Sequence, residues 1–283
     1  MQKTKDKEHH KISIGFPKYL NTLPLLYYLK TTSIDLKLQT PKKINRDLKL
    51  GTLTGGLASS LFYARNYRSF LIVPDLSISA VGKVKSVILF HNGFLQTLHN
   101  KRIGITPETE TSFALLRIIL EEFYKVSPEY VALDQNWSDL PDEEKINLQG
   151  YLAIGDEALI LQREKPFKNT TDLAELWLEK TRLPFVFALF VLRKDFLKSR
   201  EICDRLRDFI LELYKARAKG VSTLKKIIKD SHLAIQSKGV LSYLQHLEYD
   251  FSGLKQKAFL EFCGLLQRRG LLPRIPNLLF FDL

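Results

Sequence analysis

The sequence predicts an α/β fold built in two lobes, and three observations carry that expectation. Short apolar runs of strand character alternate with helical periodicities over the first two-thirds of the chain. The run LPFVFALFVLRK at 183–194 is apolar almost throughout, as in a strand covered on both faces. Charge is the third: residues 1–100 carry 15 Lys and Arg against 5 Asp and Glu, residues 101–180 carry 9 against 16, and residues 181–283 carry 19 against 10. Two basic ends around an acidic centre suit a discontinuous basic lobe, residues 1–95 with 188–283, and an acidic lobe, residues 96–187.

At 283 residues the chain can bury one large core or two medium ones. No apolar run approaches the roughly 18 residues of a membrane span. The charged start MQKTKDKEHHK has no apolar region of a secretory signal and is expected to be a solvated tail of a cytoplasmic protein. Cys203 and Cys263 lie in helical patterns without metal-ligand or redox spacing, which reads as reduced packing residues. The net charge of +12 is not gathered into basic blocks interleaved with aromatics, so it argues for attraction of anionic ligands over nucleic-acid binding.

Taken in order, KISIGF at 11–16 is a strand, and YLNTLPLLYYLK a mixed helical pattern with a proline tolerated in its first turn. Asn21 falls at the head of that helix, as a cap or as a polar group free for chemistry. A strand at 34–40 and a basic helix at 41–50 lead to GTLTGGLASSLFYARN. There Ser59 and Ser60 open a short helix, either an anion cradle or an ordinary βα connection. In 69–90, Phe70–Val73 and Val84–Phe90 are expected strands. The serines between and beside them, Ser77, Ser79 and Ser86, make either a polar turn or a wall for a small polar ligand.

RIGIT at 102–106 is a strand followed by a helix whose first turn holds Thr109, Thr111 and Ser112, which suits N-capping or an anion, although Glu108 and Glu110 oppose the latter. Residues 134–149 are an acidic loop. GYLAI at 150–154 is a buried strand closed by Gly155, with Asp156 and Glu157 as helix-dipole partners or a carboxylate pair. A short helix covers 171–180. Four apolar stripes follow between 202 and 266, the first stopped at Gly220, and the tail LLPRIPNLLFFDL is too apolar to be left in water. No nucleotide-binding, zinc-protease or serine-hydrolase motif is present.

The ordered blocks IGFPKYLNTLPL, GLASSLFYAR, LIVPDLSISAVGKVKSVILF, TETSFALL, LAIGDEALI and DLAELWLEKTRLPFVFALFV resemble the chorismate dehydratases of the futalosine route to menaquinone. The likeness extends weakly to the C-terminal helix. It implies a type II periplasmic-binding-protein-like fold, with a ligand cleft between lobes joined by crossings near 91–101 and 184–192. It also implies cofactor-free and metal-free loss of water from chorismate, giving 3-[(1-carboxyvinyl)oxy]benzoate.

By the same resemblance Asn21, of the YLN motif, is the catalytic residue. Because two substrate carboxylates must be held, Ser59, Ser60, Ser86, Thr109, Thr111, Ser112, Gly155 and Asp156 are expected to bind the substrate through hydroxyls and helix N-termini. The chain departs from the family pattern at Thr54 or Gly55, where an aspartate is common, at Thr109 and Glu110 within a small-residue block, and at Arg182, where glycine is usual. It lacks the CPND-type motif of the sister naphthoate synthase. That enzyme, and a solute-binding protein for an acidic metabolite, are the alternatives.

Overall fold

The structure is a computed structural model and describes residues 12–31, 34–107, 109–231 and 237–283. The expected solvated tail and Glu108 lie outside the described residues. The chain runs β1 (Ile12–Pro17), α1 (Leu23–Leu26), β2 (Ile34–Gln39), α2 (Pro41–Leu50), β3 (Gly55–Ser59), α3 (Ser60–Asn66) and β4 (Phe70–Ala80). It continues through β5 (Val87–His91), β6 (Arg102–Ile105), α4 (Thr111–Arg117), β7 (Glu129–Ala132), α5 (Asp142–Ile146), β8 (Gly150–Ile154), α6 (Gly155–Glu164), β9 (Asn169–Asp172) and α7 (Leu173–Thr181). It ends with β10 (Phe185–Arg193), α8 (Arg200–Ser222), α9 (Leu224–Asp230), α10 (Ser237–Leu244) and α11 (Gly253–Arg268).

Among the described residues ten strands form two five-stranded sheets of matching design, ordered β2-β1-β3-β10-β4 and β7-β6-β8-β5-β9. In each, three parallel strands come first: β1 pairs with β2 and β3, and β6 with β7 and β8. An antiparallel strand, β10 or β5, then inserts beside them. β10 is apolar up to Arg193 and most of its side chains are buried, while β3 and β4 pair with its two edges.

The chain changes sheet between Ala80 and Val87 and returns between Asp172 and Phe185. The first change lies earlier than the expected 91–101, because the run ending at Phe90 belongs to the second sheet. Burial alone does not tell which sheet an apolar run joins. Asp172 ties the two passages together: its Oδ2 accepts from the Lys85 N–H at 2.7 Å, and its Oδ1 caps α7 through Ala174 N at 3.0 Å.

Two sequence expectations give way to tertiary packing. Pro74 does not end its strand. β4 runs on to Ala80 through a bulge at which Asp75 has φ +49°, a detour open to a sheet-edge strand. Gly220 does not end its helix either. It lies inside α8, where a Cβ would sit 1.9 Å from the Pro24 carbonyl oxygen, so the glycine is a contact face for α1.

The apolar tail packs as expected. Phe280 bridges to Ile72, and the Tyr63 hydroxyl donates to Asn277 O and accepts from Leu279 N. Cys203 and Cys263 are free thiols.

Candidate active site

Ligand crevices of parallel α/β sheets lie beyond the carboxyl ends of the strands, and here those ends meet. A cavity of about 90 Å³ lies between the turn after β1, the start of α3, the head of α4 and the end of β8, with Phe187 and Ala188 of β10 alongside. Asn21, Ser59, Ser86, Thr109, Thr111, Ser112 and Gly155 all line it. Glu110 is the one charged side chain among the described lining residues.

Asn21 sits on a 3₁₀ turn, Leu20–Thr22, directly after β1. The turn is fixed by Thr22, whose hydroxyl donates to the carbonyls of Pro17 or Tyr19 at 3.0 and 2.9 Å, and by Tyr249, whose hydroxyl donates to Asn21 O at 2.9 Å. Asn21 caps no helix: the N-cap of α1 is Thr22, and Asn21 Oδ1 is buried without a hydrogen-bond partner. A buried unsatisfied amide oxygen costs about 1–3 kcal/mol, so in a native fold it takes a partner from water, a ligand or a neighbouring side chain.

Ser59 is the N-cap of α3. Its Oγ accepts from Phe62 N at 3.2 Å and from Asn45 Nδ2 at 3.0 Å. Both lone pairs are thereby used, and the O–H is left to donate, as an anion site requires. Thr111 Oγ1 likewise accepts from Leu61 N at 3.1 Å, reaching from the head of α4 to α3 beneath the other sheet. For Ser59 the capping and anion-binding readings are therefore compatible, whereas α4 has Glu110 at its N-cap with no side-chain cap bond, so the expected capping of α4 by Thr109, Thr111 or Ser112 is not seen.

Two of the expected ligand residues do not line the cavity. Ser60 is fully buried, with its Oγ 3.4 Å from Thr111 Oγ1, and serves the contact between α3 and α4. Asp156 lines a neighbouring, larger cleft of about 490 Å³. Its Oδ1 accepts from Leu20 N at 3.3 Å, and burial raises its carboxyl above the ordinary value. Glu157 is committed to structure. It accepts from Trp137 N at 2.7 Å, Tyr151 OH at 2.8 Å and Thr106 Oγ1 at 3.3 Å, and burial again raises the carboxyl.

Ser77 and Ser79 are no part of a ligand loop. They are fully buried in β4, where their hydroxyls donate to the carbonyls of Asp250 and Glu248. Ser86 does line the cavity, and its carbonyl accepts from Gly155 N at 2.8 Å. Gly155 has φ +61°, and a Cβ there would meet the Tyr19 ring at 3.2 Å, so both backbone twist and close approach ask for glycine.

Glu110 also bridges the sheets, its Oε2 accepting from Asn45 Nδ2 at 3.3 Å. The sequence reading missed Asn45, Tyr19, Phe187 and Leu247 at this site. Tyr19 lies beside Asn21 in the YLN motif; the others come from distant elements and carry no local signal. Among the described residues no cluster of His, Cys, Asp or Glu could hold a metal ion, and no helix is long and apolar enough to cross a membrane.

Known proteins share this architecture. The zinc-bound ligand-binding component of an ABC-type import system from Staphylococcus aureus superposes with a TM-score of 0.68 at 16% identity, covering 96% of each chain. The periplasmic aliphatic sulphonate binding protein SsuA of Escherichia coli gives 0.63 at 12% identity, covering 95% of this chain and 90% of its own. At these identities the likeness shows the fold alone, that of the periplasmic binding proteins.

Sequence relatives are more specific. The chorismate dehydratase of Thermus thermophilus is 31% identical over 267 residues, spanning 89% of this chain and 95% of that enzyme. The chorismate dehydratase of Campylobacter jejuni is 31% identical over 180 residues, spanning 61% of this chain and 63% of its own length. The menaquinone biosynthesis family profile matches residues 12–268, nearly all of the two-sheet body and its helices, and the chain belongs to that family.

Proposed function

We propose that this protein is a hydro-lyase that removes water from chorismate to give 3-[(1-carboxyvinyl)oxy]benzoate. One observation carries the reading: in a chain related over most of its length to chorismate dehydratases, a cation-free cavity lined by hydroxyls encloses an unsatisfied asparagine amide. Each sheet is read as the core of one lobe, residues 12–80 with 185–283 and residues 87–172, with the substrate held between them. The reaction belongs to the futalosine route and takes place in the cytoplasm.

Chorismate carries two carboxylates, a hydroxyl at C4 and an enolpyruvyl ether at C3. The C3–H bond breaks, its electron pair completes the aromatic ring, and the C4–O bond breaks to release hydroxide, which leaves as water with the abstracted proton. No electrons are gained or lost overall, so the chemistry asks for alignment and charge placement above all. Hydroxyls of Ser59, Ser86, Thr109, Thr111 and Ser112 supply neutral donors to the carboxylates. Asn21 holds the departing hydroxyl, and the substrate's own enolpyruvyl carboxylate accepts the C3 proton. Incubating the purified protein with chorismate and following the aromatic enolpyruvyl product by ultraviolet absorbance and mass tests this directly. Binding without turnover would make it a solute-binding protein instead.

A further inference from the structure

Tyr243, on α10, stands behind the cavity wall. Its side chain is fully buried, and its hydroxyl has no hydrogen-bond partner. α10 packs against the Leu20–Thr22 turn that carries Asn21, and the side chains of Ser86 and Asn21, both lining the cavity, face the Tyr243 hydroxyl without closing a hydrogen bond of good geometry on it. Asn21 Oδ1 is the second buried orphan at the same place. A phenol hydroxyl can donate and an amide oxygen can accept, so turning the Asn21 amide to present Oδ1 to Tyr243 satisfies both. Six residues further on, Tyr249 already holds the backbone carbonyl of Asn21 at 2.9 Å. The segment from Tyr243 to Tyr249 therefore grips the Asn21 turn at its main chain and stands ready to grip its side chain.

We propose that Tyr243 is a positioning residue whose O–H donates to Asn21 Oδ1 when the cleft holds substrate, turning the Nδ2 donor of the same amide into the cavity. The inference rests on the reading of Asn21 as the residue that meets the departing hydroxyl. An amide has a donor end and an acceptor end of nearly equal shape, and only its neighbours decide which faces the ligand. In a cavity built from donors for a dianion, Nδ2 supports the leaving oxygen and Oδ1 repels it. Burial raises the phenol further above its ordinary value, so Tyr243 keeps its proton throughout the neutral range.

The test is a double-mutant cycle with chorismate as substrate, using Tyr243→Phe, Asn21→Ala and the double variant in the full chain. Tyr243→Phe removes a hydroxyl that bonds nothing in the unliganded fold, so its thermal midpoint should match the parent's. The expected result is a kcat lower by about 10–100-fold, the scale of a misplaced catalytic group, with KM within about threefold. In the Asn21→Ala background, Tyr243→Phe should cost nothing further. The inference is overturned if Tyr243→Phe keeps the parent kcat while Asn21→Ala is impaired, or if the two losses multiply in the double variant. Asn21→Ala at the parent rate would instead overturn the role given to Asn21, a distinguishable result.

Discussion

Thr111 Oγ1 accepts the Leu61 backbone N–H at 3.1 Å, so a side chain at the head of α4, against the second sheet, caps a helix that packs on the first. Ser59 satisfies Phe62 N of α3, and Thr111 satisfies Leu61 N from across the cleft. Thr111→Val removes the acceptor while keeping the shape. Its expected cost is about 1 kcal/mol of stability, the usual worth of an N-cap, together with a raised KM. Thr111→Ser should restore both, as thermal melts and initial rates will show.

Glu110 places a carboxylate in the cavity proposed to bind the substrate carboxylates. At an effective dielectric near 20, its repulsion of a substrate carboxylate is about 1–2 kcal/mol after solvent screening. Glu110→Gln keeps an acceptor for Asn45 and removes the charge. KM for chorismate is expected to fall by about tenfold at low salt, and the advantage to shrink as ionic strength rises. An unchanged or higher KM would show that the carboxylate turns out of the cavity.

The burial of Asp156 gives a pH signature. Its carboxyl is raised in the folded state, so the folded protein binds that proton more tightly than the unfolded chain does. Stability therefore falls as pH rises from the ordinary carboxylate value through the raised one, and the penalty is complete above it. Asp156→Asn can still accept from Leu20 N. It should melt higher than the parent at neutral pH, and the gain should vanish as pH is lowered below the ordinary carboxylate value.

Gly220→Ala places a methyl 1.9 Å from the Pro24 carbonyl oxygen, a backbone atom that cannot swing aside. A loss of about 1–3 kcal/mol or more follows from such overpacking, measurable by denaturant unfolding. Because α1 follows the Asn21 turn, activity should fall as well.

Much of this was legible in the sequence, and what escaped shares one physical origin. The runs at β1, β6, β8 and β10 announce themselves by apolarity, and the turns and helix heads beside the strands bring seven of the nine expected site residues to one cavity. The errors fall where a distant partner overrides a local signal. Pro74 is tolerated because β4 is an edge, Gly220 is kept in mid-helix by Pro24, and Ser77 and Ser79 are claimed by the carbonyls of 248–250. Asn45 and Tyr243 reach the site from elements whose local pattern is only that of a packed helix.

The most direct measurement is product analysis after incubating chorismate with the parent protein and with Asn21→Ala. The account predicts loss of one water and an aromatic enolpyruvyl product from the parent, and little or none from the variant at matched folded concentration. Chorismate recovered unchanged from a folded parent protein that binds it would contradict the account.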